Sequence, residues 1–339
     1  LWGPKMKHIL AFGEVMLRLC PQQFKMIDQT DTLDMSYSGT GLNILSGLAR
    51  NGVQTHLLSV LPENPVGHAA AANIRRLGVQ DHHLIYNGNH IGTYFLEMGF
   101  GNRPSQVTYL NRSESAFCTT GISENQMKVA LSGIDLVHIC GIALSTSKVG
   151  RKNALKLAKL TTELGIPLCF DFNYRMSLVK LEERSSLIQD YQEILKEANI
   201  VIGGKQDLTL LLEMPFDAAH EPVEKLYQRF VKAYELDYFC GTEKSSQGQT
   251  KFVRGFLSDK QEVVYSDDKV VTTYDRIGTG DAFAAGIIQG LIDQWSLQET
   301  VDFAATSTQL AHTTYGDSPI LTQHFIQEKM KHDDLDVMR

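Results

Sequence analysis

Short apolar runs separated by amphipathic stretches recur along most of the chain. His8–Phe12, His56–Val60, Leu136–Ile139, Leu168–Phe172, Ile200–Ile202 and Tyr238–Cys240 are brief and nearly continuous in apolar character, which predicts buried strands. Between them, Leu42–Arg50, His68–Leu77 and Lys148–Leu164 carry apolar residues at helical spacing and stop at Asn51-Gly52, Gly78 and Gly165. A glycine just past a helix supplies the left-handed residue that caps it. Strands alternating with helices predict an α/β fold whose mostly parallel sheet is covered on both faces.

Two stretches break this rhythm. Met16–Tyr37 and His90–Asn111 lack helical periodicity, and Thr93–Met98 and Gln106–Leu110 read as strands around the turn-rich Gly99–Ser105. They predict a small β-flap, a lid drawn from about residues 14–38 and 90–112. A flap over the carboxyl end of the sheet suits an enzyme that excludes water from its chemistry. Its strand edges, with Phe95 and Met98 nearby, call for a cover, so a homodimer is expected.

Composition acts mainly by exclusion. A length of 339 residues with 43% apolar side chains allows one large domain with an appendage, or two domains; residues 6–332 are expected to form a single domain. A net charge of −7 without a Lys/Arg stripe argues against nucleic acid as a partner. No apolar run is long enough to span a membrane. Cys20, Cys118, Cys140, Cys169 and Cys240 are odd in number and include no Cys-x-x-Cys pair. They read as buried, reduced thiols of a cytoplasmic protein. Leu1–Lys5 precede Met6 and are set aside as a non-native remnant; no signal peptide is recognised. The polar tail after Lys331 is expected to fray.

Candidate chemistry concentrates in Asp275–Gly286. Gly278 and Gly280 open an alanine-rich helix, expected from Asp281 to Gln294, with Phe283, Ile287, Ile288 and Leu291 as its apolar face. Glycines at a helix start let backbone amides converge on an anion, and the helix dipole adds positive potential there. Asp281 follows directly. A carboxylate beside a bound phosphate can accept a hydroxyl proton, the general-base role in phosphoryl transfer. On spacing alone, Asp281 reads equally as a first-turn acid favoured by the dipole. The small residues Ala282, Ala284, Ala285 and Gly286 add weight to the functional reading, because they allow close packing on the sheet beneath a ligand. The chain has no Gly-x-x-x-x-Gly-Lys-Ser/Thr, and no Gly-x-Gly-x-x-Gly follows the first strand. An ordinary dinucleotide fold, and with it a dinucleotide-dependent oxidoreductase, is therefore disfavoured.

The sequence resembles the ribokinase-like (PfkB) carbohydrate kinases along nearly its whole length. Gly278-Thr279-Gly280-Asp281 is similar to the family's Gly-Ala-Gly-Asp, and Ser38-Gly39-Thr40-Gly41-Leu42-Asn43 to its Gly-Gly-x-x-x-Asn. The resemblance implies a three-layer α/β/α fold with a lid, ATP and Mg²⁺ as cofactors, and a small sugar as substrate. It makes Asp281 the base and Gly278, Thr279 and Gly280 the anion turn. Gly39, Thr40 and Asn43 become substrate contacts, although Asn43 also reads as a helix-start cap.

Four positions resemble the 2-keto-3-deoxygluconate kinases within the family. They are Arg175 in Asp171-Phe172-Asn173-Tyr174-Arg175, Tyr94 after Thr93, Arg112, and Asp317 after Gly316. The resemblance implies that Arg175 and Arg112 meet a sugar-acid carboxylate, that Tyr94 and Asp317 contact the sugar, and that Asn173 lies at the cofactor. A planar guanidinium suits a carboxylate, while a surface ion pair is the alternative for Arg175 and a solvated strand end for Arg112.

The departures are also specific. Leu110 stands where the family has a second flap tyrosine, with Tyr109 one position earlier, and a one-residue shift in a strand reverses its face. Gly204-Lys205-Gln206-Asp207 stands for the family's Asn-x-x-Glu. Asp207 is then a metal partner through water, with Lys205 on the cofactor side. Gly241-Thr242-Glu243-Lys244 stands for a nucleotide-side Gly-x-x-Gly, with Gly241 and Thr242 at the cofactor. Arg276-Ile277 replaces a threonine-bearing segment, which disfavours activation by a monovalent cation. The function implied is ATP-dependent phosphorylation of a terminal hydroxyl, 2-keto-3-deoxygluconate being the first choice. A kinase for fructose, ribose or a nucleoside, and a degenerate sugar- or nucleotide-binding sensor, are the alternatives.

Overall fold

All six apolar runs become strands in the computed structural model, which describes residues 8–174 and 183–332. In chain order the strands are β1 (His8–Phe12), β2 (Met16–Cys20), β3 (Asp34–Ser38), β4 (Gln54–Leu61), β5 (Leu84–Tyr86), β6 (Thr93–Glu97), β7 (Gln106–Leu110), β8 (Leu136–Cys140), β9 (Leu168–Asp171), β10 (Ile200–Ile202), β11 (Tyr238–Gln247), β12 (Thr250–Ser258), β13 (Val263–Tyr265) and β14 (Lys269–Val271). The larger sheet runs β13-β12-β11-β10-β9-β8-β1-β4-β5, with β14 beside β12. From β5 to β11 every neighbouring pair is parallel, and β12, β13 and β14 attach antiparallel.

Alternate residues of the same strands feed two cores. Leu10, Phe12, Val137, Ile139, Phe170 and Phe239 face one helix layer, which includes Lys148–Glu163, Arg184–Glu197 and Val223–Ala233. Ile9, Ala11, Leu136, Cys169 and Ile200 face the other, which includes Thr40–Ala49, Pro65–Arg76, Thr279–Ile292 and Leu297–Ala311. Strands carrying apolar side chains on both faces need a helix layer on each, so the three-layer α/β/α order follows from the sequence pattern. The glycines read as caps, Gly52, Gly78 and Gly165, all take positive φ.

The antiparallel side corrects one expectation. β11 does not stop at Cys240 but continues to Gln247, pairing Gly241 with Phe256 and Thr242 with Gly255. Gly241–Lys244 is therefore part of a strand. Its outer end is exposed and polar, and a solvated antiparallel ribbon carries no apolar run to betray it.

The flap forms a separate sheet of order β3-β2-β6-β7. Its inward face gathers Met16, Cys20, Tyr94, Leu96 and Met98. Met98 is buried there and Phe95 half-buried, so these two are not the residues that need a cover; Val107, Tyr109 and Leu110 on the outer strand β7 are exposed. All five cysteines are buried and free. Among the described residues no helix is long and apolar enough to cross a membrane.

Candidate active site

The helix Thr279–Ile292 begins two residues earlier than expected, at the N-cap Gly278, whose φ is 79°. A Cβ at Gly278 would also lie 1.8 Å from the carbonyl oxygen of Asp317. Two independent constraints thus demand glycine. The first intrahelical bond runs from the amide of Ala282 to the carbonyl of Gly278, 3.0 Å. The amides of Thr279, Gly280 and Asp281 consequently have no acceptor within the helix. A Cβ at Gly280 would meet nothing within 4 Å. Space is open above this turn, as an anion held by backbone amides requires. The small residues further along serve a different purpose from the one expected. Ala285 sits against Gly47 and Gly286 against Ala304, so they bring helices together rather than helix to sheet.

Asp281 lies in the first turn and accepts a hydrogen bond from Nδ2 of Asn43 at 2.7 Å. Asn43 is buried in the first turn of Thr40–Ala49. The capping alternative for it fails, because Gly39 is the N-cap and the Asn43 side chain reaches Asp281 instead. Gly39 itself tolerates no side chain, since a Cβ would come within 2.0 Å of the Glu14 carbonyl oxygen. Oγ of Ser318 donates to Oδ1 of Asn43 at 3.1 Å. Thr40 Oγ1 accepts from Nδ2 of Asn173 at 3.3 Å, at the carboxyl end of β9. The two glycine signatures, 238 residues apart at Asn43 and Asp281, thus meet at one point. Ligands of open parallel sheets bind at such carboxyl ends.

On the flap side, Tyr94 and Asp317 come together, but they engage each other. The Tyr94 hydroxyl donates to Oδ2 of Asp317 and lies 2.9 Å from Oγ of Ser38. The other Asp317 oxygen accepts from Arg18, which also donates to Asp275 at 2.8 Å. Arg18 is 1% exposed. Burial disfavours its charge, but Asp317 and Asp275 outweigh that and hold the guanidinium protonated. Burial, then the neighbouring Asp317 carboxylate, pushes the Tyr94 phenol up, so it remains a donor. Both Asp317 oxygens thus have partners within the protein, and its charge is matched by Arg18.

Arg112 follows β7 and donates through Nε to Oε2 of buried Glu14 at 2.8 Å. Ser115 Oγ donates to the other Glu14 oxygen at 2.9 Å. The solvated-end reading of Arg112 is excluded. Its guanidinium also lies 4.8 Å from the ring centroid of Tyr109. Tyr109 does not turn away: it stands directly opposite Tyr94 in the antiparallel pair, with ring centroids 6.2 Å apart. Residues directly opposite share a face. The register set by the Gly99–Ser105 turn absorbs the one-residue shift. Arg175 lies outside the described residues.

The residues expected on the nucleotide side have contacts of their own within the chain. Asp207 turns back to accept from the amide of Gly204 at 2.8 Å, and burial pushes its carboxyl up to about 6. Lys205 is exposed with its ammonium 4.5 Å from the centroid of the Phe216 ring. Gly241 is also required by packing, for a Cβ would lie 1.8 Å from the Gly203 carbonyl oxygen. Among the described residues no three His, Cys, Asp or Glu side chains could together hold a metal. One nearby carboxylate fits Mg²⁺, which keeps several waters and leans on substrate phosphates.

Sequence reasoning passed over Arg18, Glu14, Asp275 and Ser318. Arg18 left a signal: it is a charged residue on the inward face of the alternating Met16-Leu17-Arg18-Leu19-Cys20.

Backbone amides at a helix start that opens onto free space, with the Asp281 carboxylate beside them and held by Asn43, suit a transferring phosphoryl group. That layout belongs to small-molecule phosphotransferases of the ribokinase-like class. The chain belongs to the pfkB family of carbohydrate kinases, whose profile matches residues 6–323. Kinases of this family phosphorylate a sugar hydroxyl using ATP and Mg²⁺. A structure from Enterococcus faecalis, named provisionally as a 2-keto-3-deoxygluconate kinase, is 40% identical with a TM-score of 0.95 over 98% of both chains. The 2-dehydro-3-deoxygluconokinase of Thermotoga maritima is 28% identical, with a TM-score of 0.86 over 96% of this chain and 99% of that one. The 2-dehydro-3-deoxygalactonokinase of Haloferax volcanii is 25% identical over 98% of this chain and 99% of its own length.

Proposed function

We propose that the protein phosphorylates a terminal hydroxyl of a 2-keto-3-deoxy sugar acid, 2-keto-3-deoxygluconate first among them, with Asp281 as the base. The observation that carries this is the Asp281 carboxylate, held by Asn43 in the first turn of a helix and directly following Gly280, which faces open space. Asp281 takes the proton of the attacking hydroxyl, while the amides of Thr279, Gly280 and Asp281 and the helix dipole stabilise charge building on phosphorus. Mg²⁺ would be held beside Asp207 through water and would neutralise phosphate charge. Thr40, Asn173, Gly241, Thr242 and Lys205 border the space assigned to the nucleotide and acceptor, with Gly39 shaping its floor.

Tyr94 and Tyr109 line the acceptor side, with Asp317 behind them. Arg112 and Arg175 are the carboxylate partners we assign. The names of the relatives support the substrate class, and they differ in the sugar epimer, which leaves both epimers as candidates. Residues 6–332 act as one domain carrying the lid. Five buried thiols suit a cytoplasmic protein, and the exposed strand β7 with Val107, Tyr109 and Leu110 suits a second copy as cover.

The test is ADP release across sugar acids, neutral sugars and nucleosides. Asp281→Asn is expected to bind substrates normally and to lose about a hundredfold in turnover, the scale of a missing general base. Near-normal turnover rejects the base. Arg175→Lys is expected to harm acid substrates far more than neutral ones; equal effects reject a carboxylate-bearing substrate.

A further inference from the structure

Arg18 is assigned no part in the chemistry described so far, yet it stands at the junction of the flap and the body. It lies on β2, level with Ser36 on β3 and Tyr94 on β6, and Tyr94 lies level with Tyr109 on β7. Ser36, Arg18, Tyr94 and Tyr109 therefore form one row across one face of the flap. From that row Arg18 reaches two carboxylates of the body, Asp275 and Asp317.

The connection continues inward. The backbone of Asp317 is the surface against which Gly278 closes. The next residue, Ser318, donates to Asn43, and Asn43 donates to Asp281. Flap and base are thus joined by consecutive short contacts: Arg18 to Asp317, Ser318 to Asn43, Asn43 to Asp281.

We propose that Arg18 is a positioning residue that couples the closed flap to the orientation of Asp281 through Asp317, Ser318 and Asn43. It is too buried to touch substrate, and it acts through groups that do. A guanidinium presents its donors in a rigid fork and holds two carboxylates in fixed relation, whereas an ammonium is a single point charge on a flexible stem. Lysine keeps the charge and loses the geometry. The proposal rests on Asp281 being the base.

The experiment uses the full chain and the acceptor that the wild-type protein turns over fastest. Arg18→Lys, Ser318→Ala, the double variant and Asp281→Asn are assayed for kcat and for KM of acceptor and of ATP, with unfolding midpoints recorded. Misplacement of a catalytic group by a fraction of an ångström costs roughly ten- to a hundredfold. Arg18→Lys is therefore expected to lose about tenfold in kcat at 25 °C, with KM for ATP unchanged. Ser318→Ala is expected to lose about threefold, and the double variant no more than Arg18→Lys alone, because both break one chain of contacts. Unchanged kcat in Arg18→Lys, or losses that multiply in the double variant, overturn the coupling. Should Arg18→Lys fail to fold, Ser318→Ala decides alone, and wild-type kcat in it overturns the proposal. A fully active Asp281→Asn faults the base; an inactive Asp281→Asn beside a fully active Arg18→Lys faults only the coupling.

Discussion

Gly278 and Gly280 stand two residues apart in one signature, and the geometry predicts opposite outcomes for the same substitution. At Gly278 an added Cβ meets the Asp317 carbonyl oxygen at 1.8 Å, where ordinary contact begins at 3.4 Å. Both groups are backbone, so no rotamer relieves the clash. Alanine also takes a left-handed φ at a cost of about 1 kcal/mol. With overpacking of about 2 kcal/mol, Gly278→Ala should lose about 3 kcal/mol. At Gly280 the Cβ meets nothing within 4 Å. Alanine there gains about 0.5 kcal/mol through helix propensity, and the unfolding midpoint should hold steady or rise by about 1 °C. The added methyl instead occupies the space where we place the transferring phosphate. At least about tenfold in kcat/KM for ATP, or about 1.4 kcal/mol, should disappear. Thermal unfolding and steady-state kinetics on both variants provide the test. A Gly280→Ala protein that is less stable but kinetically normal would show that this glycine serves the fold, and the anion turn would have to be abandoned.

Two further predictions concern buried groups. His138 is fully buried with neither ring nitrogen hydrogen-bonded, and burial lowers its pKa to about 4. Between its ordinary value near 6.5 and 4 the unfolded chain binds a proton that the folded one refuses, so stability falls as pH drops through this window. His138→Leu should shrink the stability difference between pH 7 and pH 5 by about 2 kcal/mol in urea unfolding; an undiminished difference would refute the burial argument. Glu14→Gln should cost about 3 kcal/mol by leaving the Arg112 guanidinium without its counter-charge. Adding Arg112→Met should recover part of that loss, and a neutral Glu14→Gln would contradict the buried pair.

What was legible in the sequence was local. Six apolar runs announced the sheet because strands with apolar residues on both faces have few other uses. Gly278–Asp281 stood out as a candidate phosphate turn because dipole, glycine and acid are adjacent. The networks were not legible, since Arg18 and Asp317 are 299 positions apart and nothing local names the partner of a buried arginine. Tyr109 was misread because facing depends on register, which the turn before β7 sets. That β11 continues through Gly241–Lys244 was not legible either, because a polar, solvated strand carries no apolar run. Lys205 and Asp207 keep company, with the Phe216 ring and the Gly204 amide, that residue type alone did not suggest.

Two of the flap's links to the body have almost no slack. Only Gly13, Glu14 and Val15 separate β1 from β2, and only Gly39 separates β3 from the helix that presents Asn43. A lid on such short tethers does not swing clear like a door. Any opening at these two links would come from small changes of torsion at those few residues, and Gly39 has no side chain to press on the Glu14 carbonyl as it turns. Any lengthening of that one-residue link would free the lid while unhitching the first turn of the helix below it, so tolerance to insertion should be lowest at this point of the surface.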